Sequence, residues 1–109
     1  MVPLACVQHF TDKAGFDAIR SQVDWLFRAS TPPGDHPTGA YFTSLPPGTT
    51  KLAKRLGIPR TKTSFFFSFL GEQGLLPLRG GRGAYIFFSP TDYEVVEGRQ
   101  RGHGANEAP

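Results

Sequence analysis

Cysteine is almost missing from this chain, with Cys6 standing alone. One thiol excludes an internal disulfide framework and any zinc site built from several cysteines. With no basic cluster beside it, Cys6 reads as a small buried hydrophobe. His9, His36 and His103 show no metal-ligand spacing, so no metal is expected. No apolar run approaches the roughly 20 residues that span a bilayer. The opening stretch, Met-Val-Pro-Leu-Ala-Cys-Val-Gln-His, carries neither a basic start nor a long apolar core, so no secretory signal is expected. Excess charge is scarce too. A net charge of +3 suits an anionic ligand without requiring one. A nucleic-acid footprint should be more basic overall. Neither a phosphate-binding Walker loop nor a dinucleotide glycine fingerprint is present, and Ser64, Ser68 and Ser89 lack the Gly-x-Ser-x-Gly elbow of a hydrolase. A soluble, cytoplasmic protein with no membrane partner is expected, and a monomer.

What is present is turn-forming and aromatic. The 109 residues suffice for one modest core and not for two. The 13 glycines and 10 prolines argue against a helical bundle, while ten phenylalanines supply much of the surface to be buried. Leu4 to Phe10 reads as a first strand. Thr11 or Asp12 can cap a helix running to about Phe27, with Phe16, Ile19, Val23 and Leu26 or Phe27 on one face. The proline-rich run from Arg28 to Thr38 is a loop. Gly39 to Ser44 is a second strand. Thr49 can cap a short helix placing Leu52 and Leu56 together, ended by Gly57 and Pro59. Thr63 to Leu70 has the near-continuous apolar character of a central strand buried on both faces. Tyr85 to Ser89 and Tyr93 to Val96 read as two further strands joined by a Pro90-Thr91-Asp92 turn. Strands outnumber helices and gather late, which predicts an α+β fold with mainly antiparallel sheet. The domain is expected over 1–97, with 98–109 a disordered tail that has little to bury.

Two short peptides carry chemistry. His9-Phe10-Thr11-Asp12 places an imidazole where the first strand gives way to the helix. One ring nitrogen can donate and the other accept, which suits a ribose hydroxyl or a carboxamide; the plain alternative is a histidine bonding nearby backbone. Gly39-Ala40-Tyr41-Phe42-Thr43-Ser44 sets a glycine, which admits close approach to backbone, beside a tyrosine face. On composition alone that aromatic pair is ordinary core.

Taken together, the order His9-Phe10-Thr11-Asp12, an isoleucine-bearing helix, a proline-rich loop and Gly39-Ala40-Tyr41-Phe42-Thr43 resembles the toxin-type ADP-ribosyltransferases with a His-Tyr-Asp signature, in the diphtheria-toxin and PARP-like branch. The resemblance runs from His9 to about Val96. It implies a compact ADP-ribosyltransferase-like core, with two small sheets around an NAD cleft and the N-terminal helix packed across one of them. NAD would be the co-substrate, and the acceptor a protein, a nucleic acid or water. In this likeness His9 holds ribose and Tyr41 stacks on nicotinamide, while Phe10, Thr11, Gly39, Thr43 and Ser44 line the pocket.

The third signature element departs from the PARP-like pattern. Gly83-Ala84-Tyr85-Ile86-Phe87-Phe88 resembles the late strand, with Ala84 where those enzymes carry a glutamate. A carboxylate there would stabilise positive charge growing on the ribose. Asp92 is the first candidate for that role and Glu94 the second; either is equally a solvent-facing acid. Arg79 and Arg82, in a glycine-rich loop, can pair with phosphate or simply be solvated. Lys51, Lys54, Arg55, Arg60 and Lys62 read as surface charge. The alternative to an enzyme is a catalytically silent module that binds an ADP-ribose-like ligand or nucleic acid.

Overall fold

The computed structural model describes residues 6–30, 37–71, 75–77 and 85–106. Among these described residues, eight strands and two short helices form an α+β domain, and every ladder is antiparallel. The strands are β1 (Cys6–Thr11), β2 (Trp25–Phe27), β3 (Ala40–Thr43), β4 (Phe65–Leu70), β5 (Leu76–Pro77), β6 (Ile86–Ser89), β7 (Tyr93–Val95) and β8 (Gln100–Ala105). The helices are α1 (Lys13–Arg20) and α2 (Leu52–Leu56). Six strands make one sheet in the order β5-β6-β3-β1-β4-β8, and β2 pairs with β7 in a second. Among the described residues, no helix is long and apolar enough to cross a membrane.

Strand periodicity sorts the side chains between two faces. The register of Val7 with Phe69 and His9 with Phe67 puts these residues on one face. Phe42 and Ala40 of β3 join them, and α1, β2 and β7 cover that face. Val7, Phe27, Phe42, Phe67, Phe69, Trp25 and Val95 are all buried there. Gln8, Phe10, Tyr41, Thr43 and Phe88 lie on the opposite face, against the turn-rich segment 44–63.

The first helix starts as its sequence implies. Asp12 caps it, accepting a bond from the Gly15 amide at 2.9 Å. A side chain at Gly15 would meet Thr11 Oγ1 at 2.2 Å, which is why glycine sits in that turn. The helix does not reach Phe27. It stops at Arg20, leaving Val23 73% exposed, and Trp25 and Phe27 enter the core from a strand with Leu26 between them. Pairing of Trp25 with Val95 and Phe27 with Tyr93 rewards alternation over helical spacing.

Three other expectations are corrected. Gln100 to Ala105 is not a tail: it pairs with β4, with only one irregularity in register. Arg99 anchors the approach to this strand, donating from Nε to Leu70 O at 2.9 Å and from Nη2 to the Tyr93 hydroxyl at 2.8 Å. The strand looks polar because it supplies backbone to a phenylalanine-rich neighbour. Secondly, β4 is an internal strand, yet only Phe67 and Phe69 are fully buried, both on the core face. Finally, Cys6 is exposed, at the outer end of β1. At α2, Thr49 bonds back to Pro46 O, and Lys51 occupies the cap position in a left-handed conformation (φ 57°, ψ 35°). Gly57 ends the helix with φ 71°, as the sequence implies.

Candidate functional site

The two motifs meet between β1 and β3. These strands share one paired position, Gln8 with Thr43, whereas β1 pairs with β4 over its whole length. Beyond Gln8 a side chain replaces the ladder: His9 Nδ1 lies 2.9 Å from the carbonyl oxygen of Tyr41. A carbonyl only accepts, so Nδ1 carries the proton in that bond and Nε2 is left as the acceptor. The ring packs against Phe27 (centroids 4.7 Å apart) and Phe42 (5.6 Å). Burial among these rings pushes the His9 pKa below its usual 6.5, and the bond to Tyr41 only partly opposes that shift. His9 is therefore a neutral imidazole with a fixed tautomer.

Gly39 and Asp92 belong to the same end of the sheet. Ser30 and Gly39 exchange backbone bonds of 3.0 and 2.9 Å, closing the base of the proline-rich loop. A Cβ at Gly39 would approach Ser89 O to 2.5 Å, so the glycine permits close packing of β3 on the end of β6. Three residues on, Asp92 Oδ1 accepts from the Ala29 amide at 2.8 Å, next to Ser30. Gly39 and Asp92, far apart in sequence, thus both close on the Ala29–Ser30 segment, while His9 meets the Tyr41 backbone.

The other sequence-derived candidates divide. Tyr41 projects from the opposite face to His9; its hydroxyl donates to Pro37 O and its ring stacks on Phe88, at 5.7 Å and 20°. Partial burial raises its pKa. The motifs therefore meet through the Tyr41 backbone, while the two rings point to different sides of the sheet. Thr43 is buried and donates to Tyr85 O at 2.6 Å, a strand-bridging bond. Ser44 is exposed, and its amide donates to Tyr85 O. Phe10 and Thr11 are buried. Glu94 is exposed between core-facing Tyr93 and Val95, so alternation turns it away from His9. Arg79, Arg82 and Ala84 lie outside the described residues. Among the described residues, no cluster of His, Cys, Asp and Glu could hold a metal.

Gln8 belongs to the site although the motifs do not mark it. It is 5% exposed. With its amide oriented to satisfy its neighbours, its side-chain nitrogen donates to Leu45 O at 2.9 Å and to Thr43 O at 3.0 Å. It ties β1 to β3 where their pairing ends. The available signal was a glutamine inside an otherwise apolar strand. Comparison with known proteins found no matching family model, no matching curated protein and no matching solved structure.

Proposed function

We propose that the protein is an NAD-dependent ADP-ribosyltransferase, releasing nicotinamide and passing ADP-ribose to a macromolecular acceptor or to water. The observation that carries this reading is the hydrogen bond from His9 to the Tyr41 carbonyl, which joins the two motifs across β1 and β3. A neutral imidazole with Nε2 as acceptor is matched to a ribose hydroxyl, which donates. Asp92 offers negative charge for an oxocarbenium-like centre. Both acids are exposed; Asp92 is preferred as the charge-stabilising acid because its carboxylate is tied to Ala29, beside the Ser30–Gly39 pair. Tyr41 contributes its carbonyl to the orientation of His9; its ring, on the opposite face against Phe88, is not placed to stack on a nicotinamide whose ribose meets His9. Whatever role Arg79 and Arg82 have toward the pyrophosphate rests on sequence alone.

Nicotinamide release from NAD by the purified protein tests this directly. Asp92→Asn is a clean probe, since an amide oxygen can still accept from Ala29 while the charge is lost. It should bind NAD normally and release nicotinamide about 10²–10³ times more slowly. An active wild type indifferent to this change would remove Asp92 from the mechanism. Saturable NAD binding, seen as a raised melting temperature, without any turnover would favour the silent ADP-ribose-binding module. No binding and no turnover would end both readings.

A further inference from the structure

A second region draws on chemistry that the transferase reading leaves unused. Segment 50–64, together with Asn106, borders a cleft of about 630 Å³. That volume lies within the usual range of ligand sites, about 300–1,000 Å³. Its charged lining is of one sign: Lys51, Lys54 and Arg60, with no carboxylate. The ion pairs found among the described residues use Lys13, Arg20 and Lys62, leaving the three cleft cations unneutralised. Lys54 and Arg60 are exposed. Hydroxyls of Thr50, Thr61 and Ser64 add small donors to the same wall.

The cleft is held open by a polar clamp. Asn106 accepts from the Gly48 amide at 3.0 Å, donates from Nδ2 to Thr63 O at 2.8 Å, and donates its own amide to Ser64 O at 2.8 Å. Segment 46–48, the residues before β4 and the end of β8 are thereby fixed around it. Lys51 is the one described residue other than glycine with positive φ, and it lies in the cleft wall. No aromatic side chain lines the cleft, so it offers no stacking platform for a base. Unpaired cations and hydroxyl donors, without such a platform, match phosphate oxygens.

We propose that this cleft binds a phosphate chain, meaning two or more linked phosphates, supplied either by the backbone of a single-stranded nucleic acid or by a free polyphosphate group. The proposal does not depend on His9, Tyr41 or Asp92, and its probes carry no nicotinamide. A fluorescein-labelled dT12 strand is titrated by anisotropy from 50 to 200 mM salt, and inorganic pyrophosphate by calorimetry. Three phosphate contacts predict a log–log salt slope for dT12 of about −2, at about 0.7 per contact for single strands. The double variant Lys54→Gln/Arg60→Gln changes exposed side chains and should keep the wild-type melting temperature. It should bind at least tenfold more weakly, with its slope reduced to about −0.7. Loss of both dT12 and pyrophosphate binding in that variant supports the site and leaves either source open. Pyrophosphate binding without dT12 binding identifies the free polyphosphate group; dT12 binding alone identifies the nucleic-acid backbone. No binding of either probe at 50 mM salt overturns the proposal. So does binding that the double variant leaves unchanged.

Discussion

The two faces of the six-stranded sheet are built on different terms. On one, Val7, Phe42, Phe67 and Phe69 are buried beneath α1, β2 and β7, and their rings interlock: Trp25 meets Phe67 at 4.8 Å and Phe27 meets Phe42 at 5.3 Å. On the other, Tyr41, Ile86 and Phe88 stay partly exposed, and Gln8 and Thr43 settle their polar atoms on backbone oxygens. Nondirectional burial holds the first face together; directional hydrogen bonds hold much of the second. His9 belongs to the first face by packing and to the gap between β1 and β3 by its bond to Tyr41 O. The chemistry of the candidate site depends on that double membership.

The largest effect should come from cutting the buried face. Phe67→Ala should cost about 3–5 kcal/mol, read by urea denaturation. Phe88→Ala on the open face should cost about 1–2 kcal/mol, because less of its ring leaves water on folding. Equal losses would break the distinction between the faces.

A smaller effect is expected from the pH dependence of His9. Its pKa is lowered in the folded protein, so the unfolded chain takes up the proton first. The stability held by the neutral ring is fully present above about pH 6.5, declines as pH falls toward the folded value, and then levels off. Urea midpoints between pH 7.5 and 5 should show this decline for wild type and a shallower one for His9→Gln. A wild-type midpoint independent of pH in this range would mean that the ring is not enclosed as described.

The smallest effect should come from the link between the segment on the open face and the start of α1. Lys62 Nζ lies 2.7 Å from Asp12 Oδ2, and both side chains are partly exposed. The bond from Lys62, aided by the Gly15 amide, holds the Asp12 carboxyl below its usual pKa of 3.8. Its stabilisation is thus present above that pH and lost as pH falls through the lower folded value. Lys62→Met should cost about 0.2–1 kcal/mol at neutral pH and low salt. The cost should shrink in 1 M salt, measured as a change in melting temperature.

Legibility in the sequence followed whether a signal was local. The Asp12 cap, the Gly57 stop and the β4 phenylalanine run could be read because each depends on neighbouring residues. Trp25 to Phe27 reads locally as helix, because its strand character comes from β7, about 70 residues onward in the chain. Residues 100–105 looked structureless because hydropathy does not register a strand whose contribution is backbone pairing. For the site, Gly39 stood out as a residue type with a physical purpose at a strand end, whereas His9, expected where β1 gives way to α1, lies inside β1 opposite Phe67 because the strand runs on to Thr11. The opposed directions of the Tyr41 and His9 rings follow from the register of β1 against β3, which composition does not set. The cleft at Lys51, Lys54 and Arg60 was visible only as scattered charge, since Asn106 closes it from the far end of the chain.

The strand order has a kinetic consequence. β1 must wait for β3 and then for β4, β2 for β7, and β4 for β8, so nearly every ladder joins segments separated by dozens of residues. Each pairing closes a long loop before it returns any stabilisation. A chain wired this way should cross its folding barrier in milliseconds to seconds, in the slow range of domains this size. Its transition state should require β1 and β4 to have found each other, because that central ladder joins the β5-β6-β3 half of the large sheet to β8.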